Sequence, residues 1–285
     1  MSDETRRRNA VLDGPDYWNS EIREARTGSD DAIWYSYMGE LYRDLIDRSV
    51  SETAEGPSLK TDLYEEARGT QTPFARLPHP LVGIDLSPEI VEAARRNAED
   101  QGLDCDLVVG DVRELPFPDE TFQCVLSGST LDHFTRLDDI YTSLRELGRV
   151  LKPGGVLILT LDNPHNPILS LRGSFARLSQ FRLRPYFVGA TLDRIEGAAA
   201  LEAAGLEVRS VRAVAHVPRD PAMRLARLRD RLSGGPSYRS FVKALMSFEA
   251  LERAPSRWRT GYYLAFEAIK PQVLAKGTNA SSSDA

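Results

Sequence analysis

The stretch from Pro80 to Val112 constrains the fold more than any other part of this chain, because it reads as a strand, a helix and a second strand. Residues 80–84 and 107–109 are short apolar runs bounded by turn residues, which is typical of buried strands. Between the runs, Ser87 is a natural helix N-cap and Gly102 is a natural helix stop. The spacing therefore predicts a strand–helix–strand unit of a parallel sheet.

An acidic residue follows each of these strands, Asp85 after the first and Asp111 after the second. Ligands of open parallel sheets bind beyond the carboxyl ends of the strands, so both carboxylates should face one crevice. An acid in the first position is the usual acceptor for two ribose hydroxyls. An acid in the second can accept a hydrogen bond from an exocyclic amine, and together the two residues indicate an adenosine site.

Apolar runs of strand length alternate with helical patterns along the rest of the chain, which favours right-handed βαβ units. The final run, 261–270, has little room for a crossover helix before it and should pair antiparallel. The fold class predicted is α/β, with a doubly wound, mostly parallel seven-stranded sheet. The remaining predicted strands are Ser58–Leu63, Phe122–Leu126, Val156–Asp162 and Glu207–Val217.

Composition excludes several classes of protein. A net charge of -6 argues against a general nucleic-acid binder. No apolar run approaches the roughly 18 residues of a membrane span, and the N-terminus has no apolar signal region. Cys105 and Cys124 fall in predicted core strands, which fits a reducing, cytoplasmic location. The four histidines have no ligand spacing to one another, so no metal site is predicted.

Five segments, in this order and at this spacing, resemble the class I S-adenosylmethionine-dependent methyltransferases. They are VGIDLSPEIVEAARRNA, VVGDVRELPFPDETFQCV, LGRVLKPGGVLIL, LEAAGLEV and YYLAFEAIK, and the resemblance covers about residues 58–270. It implies S-adenosyl-L-methionine as cofactor, with Asp85 on the ribose and Asp111 on the adenine amine. It also implies that the backbone of Val112 lies near the adenine and that Leu86 contacts it.

The first strand departs from the family pattern, because it lacks the usual acid and Gly-rich turn of the form DxGxG. The sequence KTDLYEEA occupies this place, and a helix is expected over residues 64–77. As a variant cofactor loop, Lys60 would pair with the methionine carboxylate, Asp62 with the ammonium, and Thr61 would contact the cofactor. Alternatively, these are surface charges at the end of a strand, and the site is degenerate.

The resemblance implies that the segment after the fourth strand lies near the transferring methyl group. Asp132 and His133 are adjacent there and could act as an orienting residue and a general base. The competing interpretation is that His133 seats the following helix and Asp132 hydrogen-bonds the loop. Ser127 is expected to contact the cofactor or the loop.

Three residues further along are candidates for binding the methyl acceptor. Asn163 follows the fifth strand, and His216 and Arg219 end the sixth. A proline-shaped loop with Asx turns is an equally good explanation for the segment around Asn163.

The domain boundaries predicted are 1–57 for a disordered start and an N-terminal helical lid, 58–270 for the methyltransferase domain, and 271–285 for a disordered tail. The aromatic segment before residue 50 is either a helix packed on the edge of the domain or a lid over the ligand. Insertions at 163–191 and 218–258 are rich in arginine. They indicate either solvated lid surfaces or a site for an anionic or lipid-linked acceptor, with membrane contact possible.

The resulting hypothesis is a methyltransferase that acts on a small-molecule or carrier- or lipid-linked metabolite. The alternative is a non-catalytic relative that binds a ligand or a partner, which the missing glycine loop favours. A nicotinamide dehydrogenase is excluded because the chain has no G-x-G-x-x-G motif. A nucleic-acid methyltransferase is not indicated, since no D/N-P-P-Y/F motif follows the fourth strand.

Overall fold

The computed structural model describes residues 14–25, 32–51, 54–69, 73–170, 189–219, 221–225, 228 and 238–272. These residues contain a seven-stranded sheet in the order β3-β2-β1-β4-β5-β7-β6. The strands are β1 Ser58–Thr61, β2 Leu81–Asp85, β3 Cys105–Val109, β4 Phe122–Gly128, β5 Leu151–Asp162, β6 Glu207–Val214 and β7 Tyr263–Ile269.

The first five strands pair in parallel, and β7 runs antiparallel to both of its neighbours, β5 and β6. This confirms the predicted fold class and the antiparallel final strand. The order of the strands reverses between β1 and β4, and crevices of doubly wound sheets lie at such a point.

Two apolar layers cover the two faces of the sheet. Alternate strand residues point to opposite faces, so that Leu126 packs in one layer and Val125 in the other. The helices are α1 Pro15–Ala25, α2 Ala32–Ser49, α3 Tyr64–Ala67, α4 Pro88–Gln101, α5 Leu137–Val150, α6 Arg194–Ala203, α7 Tyr238–Met246 and α8 Arg257–Thr260. Helices α2, α4 and α7 contribute to the first layer, and α5 and α6 to the second.

Helix α4 has the ends that the sequence predicts. The Ser87 hydroxyl accepts a hydrogen bond from the amide of Ile90 at 3.1 Å, which satisfies one of the free donors of the first turn. At the other end, Gly102 adopts the left-handed conformation with φ 64°. Helix α4 therefore begins immediately after the β2 carboxyl end and fixes the orientation of Asp85.

The helix expected over residues 64–77 is much shorter, because α3 ends at Ala67 and a single 3-10 turn follows at Phe74–Arg76. Polar contacts with α4 terminate helix α3. The Asn97 side-chain amide donates to the carbonyls of Glu66 and Ala67 at 2.7 and 3.0 Å. The residues of the 163–191 insertion between 171 and 188, and most of Met223–Leu232, lie outside the described residues. Among the helices of the described ranges, none combines the length and apolarity needed to cross a bilayer.

We expect Gly197→Ala to destabilise the protein by about 1–3 kcal/mol, although alanine is the better helix former. Gly197 lies in α6 where the helix meets β7, and an added Cβ would be 2.5 Å from the Phe266 ring. Urea unfolding measures the effect. A variant more stable than the wild type by about 1 kcal/mol would mean that helix propensity, and not close packing, decides this position.

Candidate functional site

Asp85 and Asp111 line one cavity at the carboxyl ends of β2 and β3. The two ends are adjacent, since the amide of Gly110 donates to the carbonyl of Asp85 at 2.9 Å. Six of the eight residues predicted to bind the cofactor line this cavity: Thr61, Asp62, Asp85, Leu86, Asp111 and Val112. The structure thus brings the two acids together as the strand pattern predicts, and their binding roles stay predictions.

The Asp85 carboxylate is buried and held by backbone donors. Its two oxygens accept hydrogen bonds from the amides of Leu63 at 2.9 Å and Ser87 at 2.8 Å, and the residue is 9% exposed. Burial and, after it, the nearby Asp62 carboxylate raise the pKa of Asp85 to about 7, against the opposing effect of the two amides. Ligand hydroxyls that donate to this carboxylate would stabilise its charged form.

The raised pKa of Asp85 predicts a pH-dependent stability. The folded protein holds a proton on Asp85 up to about pH 7, whereas an unfolded chain releases it near the ordinary value of about 4. Its contribution to stability is therefore fully present below about pH 4 and is lost as the pH rises through 7. We expect the free energy of unfolding without ligand to fall between about pH 4 and 7, and to fall less in Asp85→Asn. Chemical unfolding at several pH values measures this, and equal slopes for the two proteins would contradict it.

The Asp111 carboxylate is paired with a neighbouring guanidinium. The Arg113 side chain donates to both Asp111 oxygens at 2.6–3.0 Å, and the Arg113 amide donates to one of them at 2.8 Å. The guanidinium also lies 4.9 Å from the centre of the Phe134 ring, which lines the cavity. Arg113 thereby fixes the acid with three donors, one of them shared between the two oxygens, so the four lone pairs of the carboxylate leave room for one further donor from a ligand.

The loop after β1 places Asp62 in the cavity wall in a backbone conformation that suits glycine. Its φ is 75°, in the left-handed region that residues with a Cβ adopt at a cost. The carboxylate compensates locally, because it accepts a hydrogen bond from the amide of Tyr64 at 2.8 Å. Burial raises the pKa of Asp62, which lies close to the other acid, Asp85. The left-handed turn thus persists here without a glycine.

Lys60 is not placed as the sequence predicts, because its ammonium is not part of the cavity wall. It is buried behind the loop and donates to the Asp62 carbonyl at 2.6 Å and to Glu66 at 2.8 Å, with Glu65 at 3.7 Å. Burial alone would lower the pKa of Lys60, but Glu66 and Glu65 raise it above its ordinary value. The KTDLYEEA segment is therefore held by an internal ion pair, and a pairing of Lys60 with the methionine carboxylate is not supported.

Ser127 also lies behind the cavity. Its fully buried hydroxyl accepts a hydrogen bond from Thr61 at 2.9 Å, and Thr61 approaches Thr130 at 3.0 Å. These hydroxyls join the carboxyl ends of β1 and β4. Ser127 therefore has the predicted contact with other protein groups at the strand ends and does not line the cavity. Thr61 and Thr130 form the cavity wall at this point.

The adjacent pair Asp132 and His133 point to different surroundings. His133 lines the cavity, whereas Asp132 is 1% exposed and accepts hydrogen bonds from the Ser129 hydroxyl and the Asp162 amide. Burial raises the pKa of Asp132. Asp132 therefore ties the end of β4 to the end of β5. This corrects its predicted catalytic role, because its carboxylate does not line the cavity, and only His133 remains a candidate base.

Asn163 is buried and has a structural role. Its side-chain amide donates to the carbonyls of Trp258 and Gly261, both at 2.9 Å, and its oxygen accepts from the amide of His165. These contacts hold the segment before β7 against the end of β5. The Asx-turn interpretation is right for this residue, and a contact with acceptor is not supported.

His216 and Arg219 likewise lie outside the cavity. The His216 ring is 3% exposed and satisfied on both nitrogens, by the Thr260 hydroxyl and the Ala213 carbonyl, each at 2.8 Å. The Arg219 guanidinium lies 5.2 Å from the centre of the Trp34 ring. His216 therefore joins β6 to α8, and Arg219 contacts the N-terminal helix α2.

Helix α1 contributes a wall residue that the sequence did not single out. Trp18 lines the cavity, with its ring centre 4.7 Å from that of His133 and the two planes at 66°. The cavity volume is about 70 Å³. The density of aromatic residues before residue 50 was the available signal, but it did not distinguish Trp18 from the core residues of α2.

The described residues contain no group of three or more His, Cys, Asp and Glu side chains that could hold a metal ion. The cavity wall of that same part of the chain carries three aspartates and no lysine or arginine. The arrangement is suited to an organic ligand with hydroxyl groups and positive charge.

Comparisons with known proteins place this geometry in context. A family model described as a methyltransferase domain matches residues 68–159. A demethylmenaquinone methyltransferase of Thermus thermophilus is 36% identical over 163 residues, which are 56% of this chain and 66% of that protein. An uncharacterised methyltransferase of Bacillus subtilis, YodH, is 37% identical over 105 residues, 36% of this chain and 43% of that protein. The matched segments thus span less than two thirds of these relatives.

Solved structures agree on the fold. The YcgJ protein of Bacillus subtilis superposes with a TM-score of 0.53 at 18% identity, covering 82% of this chain and 99% of that chain. The [4+2]-cyclase SpnF superposes with a TM-score of 0.52 at 20% identity, covering 81% and 80%. The second neighbour carries the fold with a differently named activity, so the fold by itself does not fix the reaction.

Proposed function

We propose that this chain, which belongs to the class I S-adenosylmethionine-dependent methyltransferases, transfers a methyl group from S-adenosyl-L-methionine to a small-molecule or carrier- or lipid-linked acceptor. The observation that carries the proposal is the pair Asp85 and Asp111 on one cavity, at the ends of adjacent parallel strands.

The residues present fit the nucleoside part of this cofactor. Asp85 would accept hydrogen bonds from the two ribose hydroxyls, and Asp111 would accept one from the adenine amine. Leu86 and Val112 supply apolar wall to the same cavity and would contact the adenine. Arg113 supports this arrangement, because its contacts keep the Asp111 carboxylate at the rim of the cavity.

The methionine end of the cofactor would lie over β1, where Asp62 lines the cavity. Its carboxylate is the acid that this chain offers to the α-ammonium group, since the acid of the family's usual loop is replaced by Lys60. The Lys60 ammonium, which is paired with Glu66, also donates to the Asp62 carbonyl at 2.6 Å. This contact fixes the backbone of Asp62 and so supports a position of its carboxylate beside the ammonium group of the cofactor.

His133 is the residue we propose as general base. The bound cofactor supplies an electrophilic methyl group on a sulfonium, and the displacement requires the acceptor to be in line with it. His133 lies after β4 in the cavity wall and could take the proton that the acceptor loses. Trp18 and the end of β4 cover this part of the cavity and would exclude water from it.

For the acceptor, we propose an apolar, lipid-linked aromatic compound, with isoprenoid quinones as the first class to test. The support is the similarity to relatives named for demethylmenaquinone and for ubiquinone and menaquinone biosynthesis. The aromatic wall formed by Trp18 and Phe134 suits a flat, apolar ring.

Two measurements test the proposal in order. Calorimetry is expected to show saturable binding of S-adenosyl-L-methionine, and no binding at millimolar cofactor would contradict the assignment. Transfer of a radiolabelled methyl group to reduced demethylmenaquinone in detergent then tests the acceptor class. His133→Gln is expected to slow transfer without changing cofactor affinity. Binding without transfer to any component of a cell extract would favour the non-catalytic alternative.

A further inference from the structure

We propose that the indole ring of Trp18 binds the positively charged sulfonium of the cofactor, so that the site distinguishes the methyl donor from its neutral thioether product. This inference rests on the proposed function, and it assigns a specificity-determining role to a residue of α1. Trp18 lies outside the segment, 68–159, that matches the methyltransferase family model.

The order of the strands fixes where the sulfonium would lie. Along the edge of the sheet, Asp111 follows β3, Asp85 follows β2, Asp62 follows β1, and His133 follows β4. A nucleoside held by Asp111 and Asp85 must extend its 5′ substituent toward the ends of β1 and β4. The charged sulfur therefore falls at the end of the cavity bounded by Asp62 and His133.

Trp18 is at this same end. Its ring and the imidazole of His133 form a T-shaped contact, and so do the rings of Tyr17 and Trp18, with ring centres 5.1 Å apart. Helix α1 is joined to the start of α4 by a hydrogen bond between the Ser87 hydroxyl and Asn19 at 2.6 Å. The indole is thus positioned by contacts that do not involve the ligand.

An ion pair between Arg23 of α1 and Glu89 of α4 is a second joint between the two helices. Glu89 follows Pro88, the first residue of α4, and α4 begins shortly after β2 ends at Asp85. Helix α1 is therefore held against the start of α4 at two points.

The chemistry of the indole explains the discrimination. Tryptophan has the most favourable ring face for a cation, and the attraction is larger where water is excluded. Departure of the methyl group converts the sulfonium into an uncharged thioether, while the ribose, adenine and amino-acid groups stay the same. Trp18 would therefore stabilise the bound donor and contribute little to binding of the product.

The test compares three ligands by calorimetry: S-adenosyl-L-methionine, S-adenosylhomocysteine, and sinefungin, which carries a protonated amine near the position of the sulfonium. In Trp18→Leu, we expect about tenfold weaker binding of the two cationic ligands and less than threefold weaker binding of S-adenosylhomocysteine. Trp18→Phe, which keeps an aromatic ring, should lie between Trp18→Leu and the wild type.

Asp62→Asn is the comparison variant, because it faces the amino-acid part that all three ligands share and should weaken them by similar factors. If Trp18→Leu weakens donor and product equally, Trp18 is only a wall and the inference is overturned. If Trp18→Leu does not fold, an unchanged donor-to-product ratio in Trp18→Phe overturns it as well. A wild type that binds none of the ligands would overturn the proposed function, and this inference with it, whereas binding of all three with no preference for charge overturns the inference alone.

Discussion

Asp85→Asn is expected to weaken the binding of both S-adenosyl-L-methionine and S-adenosylhomocysteine about 100-fold. Hydrogen bonds to a charged acceptor contribute roughly 1.5–3 kcal/mol each, and the carboxylate would accept two from the ribose. A loss of about 3 kcal/mol corresponds to about two orders of magnitude in Kd. Calorimetry or a shift of the thermal unfolding midpoint by ligand measures the change.

In the free protein at neutral and alkaline pH, the same substitution has two opposing effects on stability. Burial raises the pKa of Asp85 to about 7, so a neutral amide removes the cost of a buried charge, but its NH2 group faces one of the two backbone amides that donate to the carboxylate. Asp106→Asn is the matched control, because Asp106 lies exposed on the adjacent strand β3 and outside the cavity. Affinity within threefold of the wild type in Asp85→Asn would contradict the ribose assignment.

Lys60→Met is expected to lower the free energy of unfolding at pH 8 by about 3–5 kcal/mol, the usual cost of removing one partner of a buried ion pair. The Lys60 ammonium is 3% exposed and is the donor to Glu66 and to the Asp62 carbonyl. Without it, Glu65 and Glu66 would repel one another in a buried loop. Chemical unfolding without ligand measures the effect.

The double variant Lys60→Met with Glu66→Gln is the matched control. It removes both members of the closest pair, and we expect it to regain most of the lost stability, since replacing both partners is often close to neutral. The loss in free energy of unfolding caused by Lys60→Met alone should also become smaller as the pH falls toward 5. Burial raises the pKa of Glu65 to about 7, and protonation at lower pH removes its charge. A loss below about 1 kcal/mol in the single variant would mean that the ion pair is screened by water.

Corrections to the predicted site share one cause. Lys60, Asn163 and His216 are polar residues at or near strand ends, where sequence patterns place ligand contacts, yet each is saturated by bonds within the protein. A polar residue beside a strand end can face the crevice or brace a loop. Which it does depends on partners such as Glu66 or Thr260, whose positions the local sequence does not specify.

The parallel sheet, its antiparallel last strand and the convergence of Asp85 and Asp111 could all be predicted from the residue order. These features follow from local information, because apolar runs, helix caps and the residues just after each strand are contiguous in the chain. Tertiary packing, in contrast, sets which candidate side chains reach the cavity and makes α1 part of its wall. The packing of Trp18 on His133 joins segments distant in the chain, and no periodicity or spacing within either segment encodes such a contact.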